Sequence, residues 1–242
     1  LTNACAIFMF LDSFYTQNQA DVNISGDQAS RFAKTVCNDF NPIHDADSKR
    51  FCVPGDLLFA LSLQRYGLSQ DMRFTFSGMV SADIGLRFPE SPGSAFDIVD
   101  SRDKCYLKVS REGEPTFAQD MIEQLVRSYV YFSGQNFPFI LVPLMAEQQV
   151  MINPARPLAI YESMSLHLDR LDLTEPAVEL VESELQVKGK RGDVELRFQL
   201  LDGKDIVGCG VKKIILSGLR PYEQTAIDSM IADYTSWQAS GA

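Results

Sequence analysis

The chain has 242 residues, of which 45% are hydrophobic and 22% are charged, so it can bury one large core or two smaller ones and is too apolar to be disordered. Its formal net charge of −10 argues against a nucleic-acid partner, which would need a basic stripe, although a few local cations would suffice for an anionic ligand. No apolar run approaches the roughly 18–20 residues of a membrane span, so we expect no membrane insertion.

The cysteines and the start of the chain indicate a cytoplasmic protein. The chain contains five cysteines, odd in number and without CxxC spacing: Cys5, Cys37, Cys52, Cys105 and Cys209. We therefore expect neither a disulfide scaffold nor a zinc knuckle. The stretch ACAIFMFL lacks the basic start of a secretory signal. Met9 is the first methionine, and we expect translation to begin near it, with residues 1–8 as upstream sequence.

Two helices are predicted in the first part of the chain, after an N-terminal extension and first strand in residues 1–22. Residues 23–36 combine an N-cap, Ser25 or Asp27, with apolar residues at helical spacing. A second helix begins near Gly55 and is apolar almost all round, which is typical of a helix buried by a sheet.

Strands are predicted for most of the remaining chain. The stretch from Arg73 to about Val130 alternates like strands, with PTFAQDMIEQLV as its last segment, and residues 158–216 do the same. The tail, residues 217–242, predicts an amphipathic helix with Ile227, Met230, Ile231 and Tyr234 on one side.

The two strand regions look like diverged copies of one unit. YLKVSREGE (106–114) aligns with LRFQLLDGK (196–204), which superimposes Gly113 on Gly203, and CVPGDLL (52–58) aligns with LVPLMAE (141–147). Each copy is then a helix followed by an antiparallel sheet that wraps it, an α+β architecture. We predict one unit in residues 23–120 and a second in residues 121–216.

The segment CNDFNPIHDAD (37–47) is the strongest candidate for a functional site. It places Asp39, Asn41, Pro42 and His44 within six positions, and His44 is one of only two histidines in the chain. One reading is an Asx-type turn in which the acidic and amide side chains bond backbone groups. The other is a preorganised acid/base pair.

The Asp-x-Asn-Pro-x-His loop, followed by the glycine of VPGDLL at a helix start, resembles the MaoC-like enoyl-thioester hydratases of the hotdog fold. The resemblance runs from Phe32 to about Asp120 and implies a tandem double hotdog, with residues 121–216 as the second, diverged unit. It implies that Asp39 and His44 hold a water that adds to a trans-2-enoyl thioester of coenzyme A or acyl carrier protein.

The resemblance also assigns the substrate contacts. Asn41 would orient the loop or the substrate, and the backbone N–H of Gly55, after Pro54, would polarise the thioester carbonyl. No metal or tightly bound cofactor is implied, because two histidines without metal-ligand spacing make a poor metal site.

Three features depart from the family pattern. Cys37-Asn38 replaces the usual Ser-Gly pair before the aspartate, and Asp45 adds a negative charge directly after His44. The second copy has Leu144 at the position of Gly55 and no Asp-His pair, so we expect one site per chain. The apolar segment QNFPFILVPLM (135–145) would then form part of an acyl tunnel.

Two other functions are compatible with the same residues. The chain could be a non-catalytic hotdog protein that senses or carries an acyl thioester, or a thioesterase in which Asp39 activates water toward the carbonyl carbon. His167 is expected on a solvated or interface strand face. Two fused units could close their sheet as a monomer, or the chain could form a homodimer.

Overall fold

A computed structural model describes residues 9–241, so the predictions made for residues 1–8 lie outside the described part of the chain. The helices are α1 Gly26–Thr35, α2 Gly55–Tyr66, α3 Gln119–Gly134, α4 Asn136–Phe139, α5 Leu141–Glu147 and α6 Gln224–Ser240. The strands are β1 Thr16–Asn18, β2 Asp21–Asn23, β3 Asp71–Phe76, β4 Leu86–Arg87, β5 Ala95–Asp100, β6 Cys105–Glu112, β7 Val150–Met151, β8 Ala159–Leu168, β9 Pro176–Lys188, β10 Arg191–Asp202, β11 Asp205–Ser217 and β12 Arg220–Pro221.

One ten-stranded sheet dominates the fold, in the order β1-β2-β4-β5-β6-β3-β8-β11-β10-β9. Every neighbouring pair in it is antiparallel, which confirms the predicted α+β class with a large antiparallel sheet. The order β3-β6-β5-β4 on one side of the sheet is repeated as β8-β11-β10-β9 on the other. The halves meet where Asp71–Thr75 pairs with Ser163–His167.

The strand order corrects the internal alignment made from the sequence. By position in the sheet β6 corresponds to β11, not to β10, so superimposing Gly113 on Gly203 was wrong. Gly113 follows β6, whereas Gly203 lies in the turn between β10 and β11. Both glycines have positive φ, 85° and 63°, and a tight turn selects glycine whichever strands it joins.

The strand predicted for PTFAQDMIEQLV is wrong for most of that segment, because α3 begins at Gln119. The buried residues of α3 recur three and four positions apart, which is helical spacing: Met121, Ile122, Leu125, Val126, Tyr129 and Val130. This helix packs against α2 and β9. The long helix of the second half is therefore α3, and the alignment of Leu144 in the short α5 with Gly55 was also wrong.

Helix α2 lies in the main core, as predicted from its apolar circumference. The Phe59 ring centre is 5.0 Å from that of Phe74 on β3 and 4.8 Å from that of Tyr129 on α3. Tyr129 in turn lies 5.6 Å from Phe198 on β10, so aromatic contacts link the two halves. Burying such large rings contributes much of the stability of a core.

Two other predicted helices are confirmed. Ser25 caps α1 through a reciprocal capping box with Gln28, as its sequence position predicted. Helix α6 buries Ile227 and Tyr234 and packs over a second, smaller core formed with α5 and the strands of the second half. None of the helices within residues 9–241 is long and apolar enough to cross a membrane.

Candidate active site

Backbone geometry after α1 positions Asp39. The Asp39 N–H donates to the Ala33 carbonyl at 2.9 Å, which folds the chain back under the end of α1. The residue before it, Asn38, has a φ of 54°, in the left-handed region that asparagine enters more readily than most residues. Asn38 therefore makes a turn for which a glycine would ordinarily be used. Having Asn38 at this position, instead of the glycine expected from the resemblance, still allows the turn that positions Asp39.

The Asx-type hydrogen bonds expected for an ordinary turn are present as well. Asp39 Oδ1 accepts the Asn41 N–H at 2.9 Å, and Asn41 Oδ1 accepts the Ile43 N–H at 3.2 Å. The second bond caps a short 3₁₀ helix, Pro42–His44, which carries the histidine. Asn41 thus orients the loop, and the turn presents the acid and the histidine to the same side.

His44 and Asp39 face each other with the imidazole held from behind. His44 Nδ1 is 2.7 Å from the Cys52 carbonyl oxygen, and because a carbonyl only accepts, Nδ1 carries a proton. His44 Nε2 lies 3.6 Å from Asp39 Oδ2, too far for a direct hydrogen bond but close enough for one water to contact both atoms. The two side chains are mostly buried, at 13% and 24% exposed. Asp45 pairs instead with Lys34 at 2.9 Å.

Tyr234 of the C-terminal helix α6 forms hydrogen bonds with the loop that carries Asp39. The Tyr234 hydroxyl donates to the Asn38 carbonyl at 3.3 Å and accepts the Phe40 N–H at 3.4 Å, so it bonds the residues on either side of Asp39. The sequence placed Tyr234 on the apolar side of a tail helix, which is correct, but gave no indication of its contact with the loop.

Gly55 begins α2, with Pro54 as an N-cap that offers no side-chain hydrogen bond. The first N–H groups of a helix lack an intrahelical acceptor four residues back and can receive a ligand oxygen. In α2 the Leu57 N–H donates to the Pro54 carbonyl at 3.0 Å, so this role falls to the N–H groups before it. A Cβ at position 55 would lie 3.0 Å from Phe76 Cε1 and 3.1 Å from Tyr161 Cδ1. Two aromatic rings would therefore have to move by a few tenths of an ångström to admit a larger residue, a reason for glycine that differs from the ligand approach inferred from the sequence.

A cavity of about 390 Å³ connects these groups, and all five residues predicted for the site border it: Asp39, Asn41, His44, Pro54 and Gly55. Its other walls are largely apolar and come from both halves of the sheet and from the predicted tunnel segment, including Phe76, Ile160, Ile214, Phe137 and Leu141. His167, by contrast, is not among the lining residues. It lies exposed, and its hydrogen bond with Asp71 raises its imidazole pKa.

Three buried polar residues in the same cavity wall were missed by the sequence interpretation: Asp56, Ser133 and Lys212, here called the buried polar centre. Ser133 Oγ donates to Asp56 Oδ2 at 2.7 Å and accepts from Lys212 Nζ. Burial raises the pKa of the Asp56 carboxyl and lowers the pKa of the Lys212 ammonium. A signal existed in the sequence: strand alternation in GVKKIIL puts Lys212 on the face of Ile214 and Leu216.

The end of α3 packs directly against the loop that carries Asp39. A Cβ on Gly134 would lie 2.0 Å from the Cys37 carbonyl oxygen, so Gly134→Ala must displace the loop or the helix. We expect a loss of about 1–3 kcal/mol in the free energy of unfolding, measured by urea denaturation. Gly93→Ala is the control, since nothing lies within 4 Å of a Cβ there. Equal stability of the two variants would contradict this packing.

Comparison with solved structures gives distant similarities. An acyl-CoA thioesterase II, TesB2, from Mycobacterium marinum has a TM-score of 0.42 and 8% identity, covering 89% of this chain and 99% of its own. A tesB protein of Mycobacterium avium subs paratuberculosis has a TM-score of 0.41 and 8% identity, covering 69% of this chain and 87% of its own. The peroxisomal multifunctional enzyme type 2 of Drosophila melanogaster has a TM-score of 0.39 and 12% identity, covering 79% of this chain and 47% of its own.

Because all three TM-scores are below 0.5, these similarities give no information about the activity of this chain. No curated protein sequence matches the chain. One family model does match, over residues 9–225, and its description is "Protein of unknown function (DUF3581)". Because the match extends over most of the sequence, the chain belongs to the DUF3581 family.

Proposed function

We propose that the chain hydrates trans-2-enoyl thioesters of coenzyme A or acyl carrier protein to 3-hydroxyacyl thioesters, and catalyses the reverse dehydration. The observation that carries the proposal is the pairing of His44 Nε2 with Asp39 Oδ2 at 3.6 Å on the wall of a largely apolar cavity, beside the start of α2. A fixed imidazole nitrogen, a carboxylate and a free helix N-terminus are the groups that addition of water to an enoyl thioester needs.

In this mechanism the water lies between the two side chains. His44 Nε2, whose lone pair is free because Nδ1 carries the proton, takes a proton from the water while the water oxygen attacks the β-carbon. Asp39 accepts a hydrogen bond from the other O–H of the water, which stays on the oxygen, and so orients the nucleophile. Electron density moves to the thioester oxygen, where the N–H groups at the start of α2 stabilise the enolate. His44 then returns its proton to the α-carbon, which completes the addition.

The architecture proposed with this function is a tandem double hotdog, with units in residues 23–120 and 121–216. The repeated strand order and the presence of one long helix per half, α2 and α3, support it. The acid/base pair comes from the first half, whereas Tyr161 and Ile214 of the second half line the cavity, so one chain would hold one complete site. We also propose a cytoplasmic location, because the cysteines are odd in number and lack CxxC spacing.

One assay tests the function. The protein is incubated with crotonyl-CoA and octenoyl-CoA, and both the enoyl absorbance and free thiol are followed. We expect the absorbance to fall without release of thiol. Release of thiol from saturated or unsaturated acyl-CoA would contradict the proposal and favour a thioesterase. Binding without any turnover would favour a carrier.

A further inference from the structure

The buried polar centre is more polar than a saturated acyl chain requires. Asp56, Ser133 and Lys212 are 8%, 4% and 3% exposed and lie in the wall of an otherwise largely apolar cavity. The Asp56 carboxylate and the Lys212 ammonium meet through the Ser133 hydroxyl, and buried charges of this kind give little net stability compared with apolar residues of the same size. A few polar groups placed in an apolar cavity are, however, the usual means by which a protein recognises a polar atom of a ligand.

The centre has hydrogen-bonding capacity left over. Within residues 9–241, Asp56 Oδ1 is buried and has no hydrogen-bond partner, while its Oδ2 is occupied by the Ser133 hydroxyl. Asn136 Oδ1, in the same wall, is also buried without a partner. Lys212 directs its hydrogen bonds to the hydroxyl and the carbonyl of Ser133, and its Nζ lies 4.4 Å from the centre of the Tyr161 ring. Among the described residues, the third N–H donor of Lys212 therefore has no hydrogen-bond acceptor. A ligand group that both donates and accepts hydrogen bonds would therefore satisfy Asp56 Oδ1 and Lys212 Nζ together.

A hydroxyl is the simplest group that meets both needs, since it donates to Asp56 Oδ1 and accepts from Lys212 Nζ. A keto oxygen would leave the Asp56 acceptor unpaired, and a carboxylate would be repelled by the same residue. The three residues of the centre are each 8% exposed or less, whereas the side chains of Asp39 and His44 are 24% and 13% exposed. A group bound there would be further from solvent than the carbon that receives water.

We infer that Asp56 and Lys212 bind a hydroxyl group on the acyl chain, beyond the β-carbon, and that the substrates are hydroxylated acyl thioesters. The thioester part of this inference rests on the proposed function. The hydroxyl part rests on the buried polar centre alone, and the two can be tested separately.

The first test needs no thioester. Full-length protein is titrated with n-hexanol and with its isomer methyl pentyl ether, and amide chemical shifts are followed by NMR. The two molecules have the same atoms, but only the alcohol can donate a hydrogen bond. We expect the alcohol to bind about tenfold more tightly or better, as a hydrogen bond to a charged group implies. Equal binding of the two isomers would overturn the inference.

Two variants test whether the preference for the alcohol arises at the buried polar centre. The double variant Asp56→Asn/Lys212→Met leaves no unpaired buried charge and should lose most of the preference for the alcohol, because only a neutral amide oxygen remains to accept its hydrogen bond. Lys213→Met removes the neighbouring lysine, which lies on the opposite face of β11 and contacts Glu195 at 3.1 Å, and should keep the preference for the alcohol. Loss of the preference in Lys213→Met, or its full retention in the double variant, would also overturn the inference.

The second test compares octanoyl-CoA with octanoyl-CoA hydroxylated near the end of its chain, by calorimetric titration. The hydroxylated thioester is expected to bind about tenfold more tightly in the wild type and to lose most of that advantage in the double variant. Equal binding in the wild type would overturn the inference even if hydration is observed. Preference for hexanol combined with no binding of either thioester would refute the proposed function and leave the hydroxyl site standing.

Discussion

Replacing His44 by alanine or Asp39 by asparagine is expected to lower the rate of enoyl-CoA hydration by about 10²–10⁴-fold, the usual contribution of a positioned acid/base group. His44→Ala removes the nitrogen that takes the water proton in the proposed mechanism. Asp39→Asn keeps the size of the side chain and its Oδ1 bond to the Asn41 N–H, so the turn should survive. What it removes is the charge that orients the water. The rate is measured as kcat/KM with crotonyl-CoA.

The matched control is Asp45→Asn, which neutralises the carboxylate directly after His44. Asp45 pairs with Lys34 on α1, and loss of a partly exposed ion pair should change stability by less than about 1 kcal/mol. Hydration should stay within about threefold of the wild type, because this carboxylate does not line the cavity. If Asp45→Asn impairs hydration as much as Asp39→Asn, the loop acts through its overall charge and the assignment of Asp39 is wrong.

Replacing Lys212 by methionine is expected to lower the free energy of unfolding by about 3–5 kcal/mol at neutral pH, because it leaves the Asp56 carboxylate buried without its countercharge. The double variant Asp56→Asn/Lys212→Met should recover most of that loss, since both charges are then gone. Lys213→Met, on the solvated face of the same strand, should cost less than about 1 kcal/mol. Urea denaturation of the four proteins measures all of these differences.

Asp56 and Lys212 also predict how the free energy of unfolding depends on pH. The folded pKa of Asp56 is raised, so the folded state binds more protons than the unfolded state above the usual value of 3.8. The contribution of Asp56 to the free energy of unfolding is greatest below pH 3.8 and is lost as pH rises through its folded pKa. The folded pKa of Lys212 is lowered, so its contribution increases with pH in the alkaline range below 10.5.

The difference in unfolding free energy between wild type and double variant should therefore fall from about pH 4 upward and rise again on the alkaline side. Both slopes come from groups that the double variant lacks. A difference that is flat across the whole range, or no recovery of stability in the double variant, would show that the two charges do not act as a buried pair.

Local chemistry made much of the fold predictable from the sequence. Ser25 caps α1 because a serine three residues before a glutamine satisfies two backbone donors, a rule that needs no tertiary context. The start of α2 at Gly55 and the strands between residues 158 and 216 followed from apolar periodicity in the same way. Helix α3 was missed because the residues just before it, from Pro115, alternate like a strand. The strand assignment was then extended through Met121 and Ile122, which belong to the helix.

The candidate site was predictable where its residues are close in sequence. Asp39, Asn41 and His44 are linked by hydrogen bonds within six positions, so their convergence is a property of the turn itself. Lys212 and Ser133 reach Asp56 only through the packing of β11 and α3 on α2, which is not encoded locally. The alternation of β11 showed that Lys212 faces inward, but its partner depends on which helix covers that strand, and that helix was read as a strand.

The most direct test of the account is to follow an oxygen atom. Octenoyl-CoA is incubated with the protein in heavy-oxygen water, and the product is fragmented by mass spectrometry. Hydration between Asp39 and His44 predicts one heavy oxygen, on the β-carbon of an intact thioester, and none in free octenoate. Heavy oxygen in a released carboxylate, or no incorporation at all, would contradict the assignment of these two residues as the pair that adds water across the double bond.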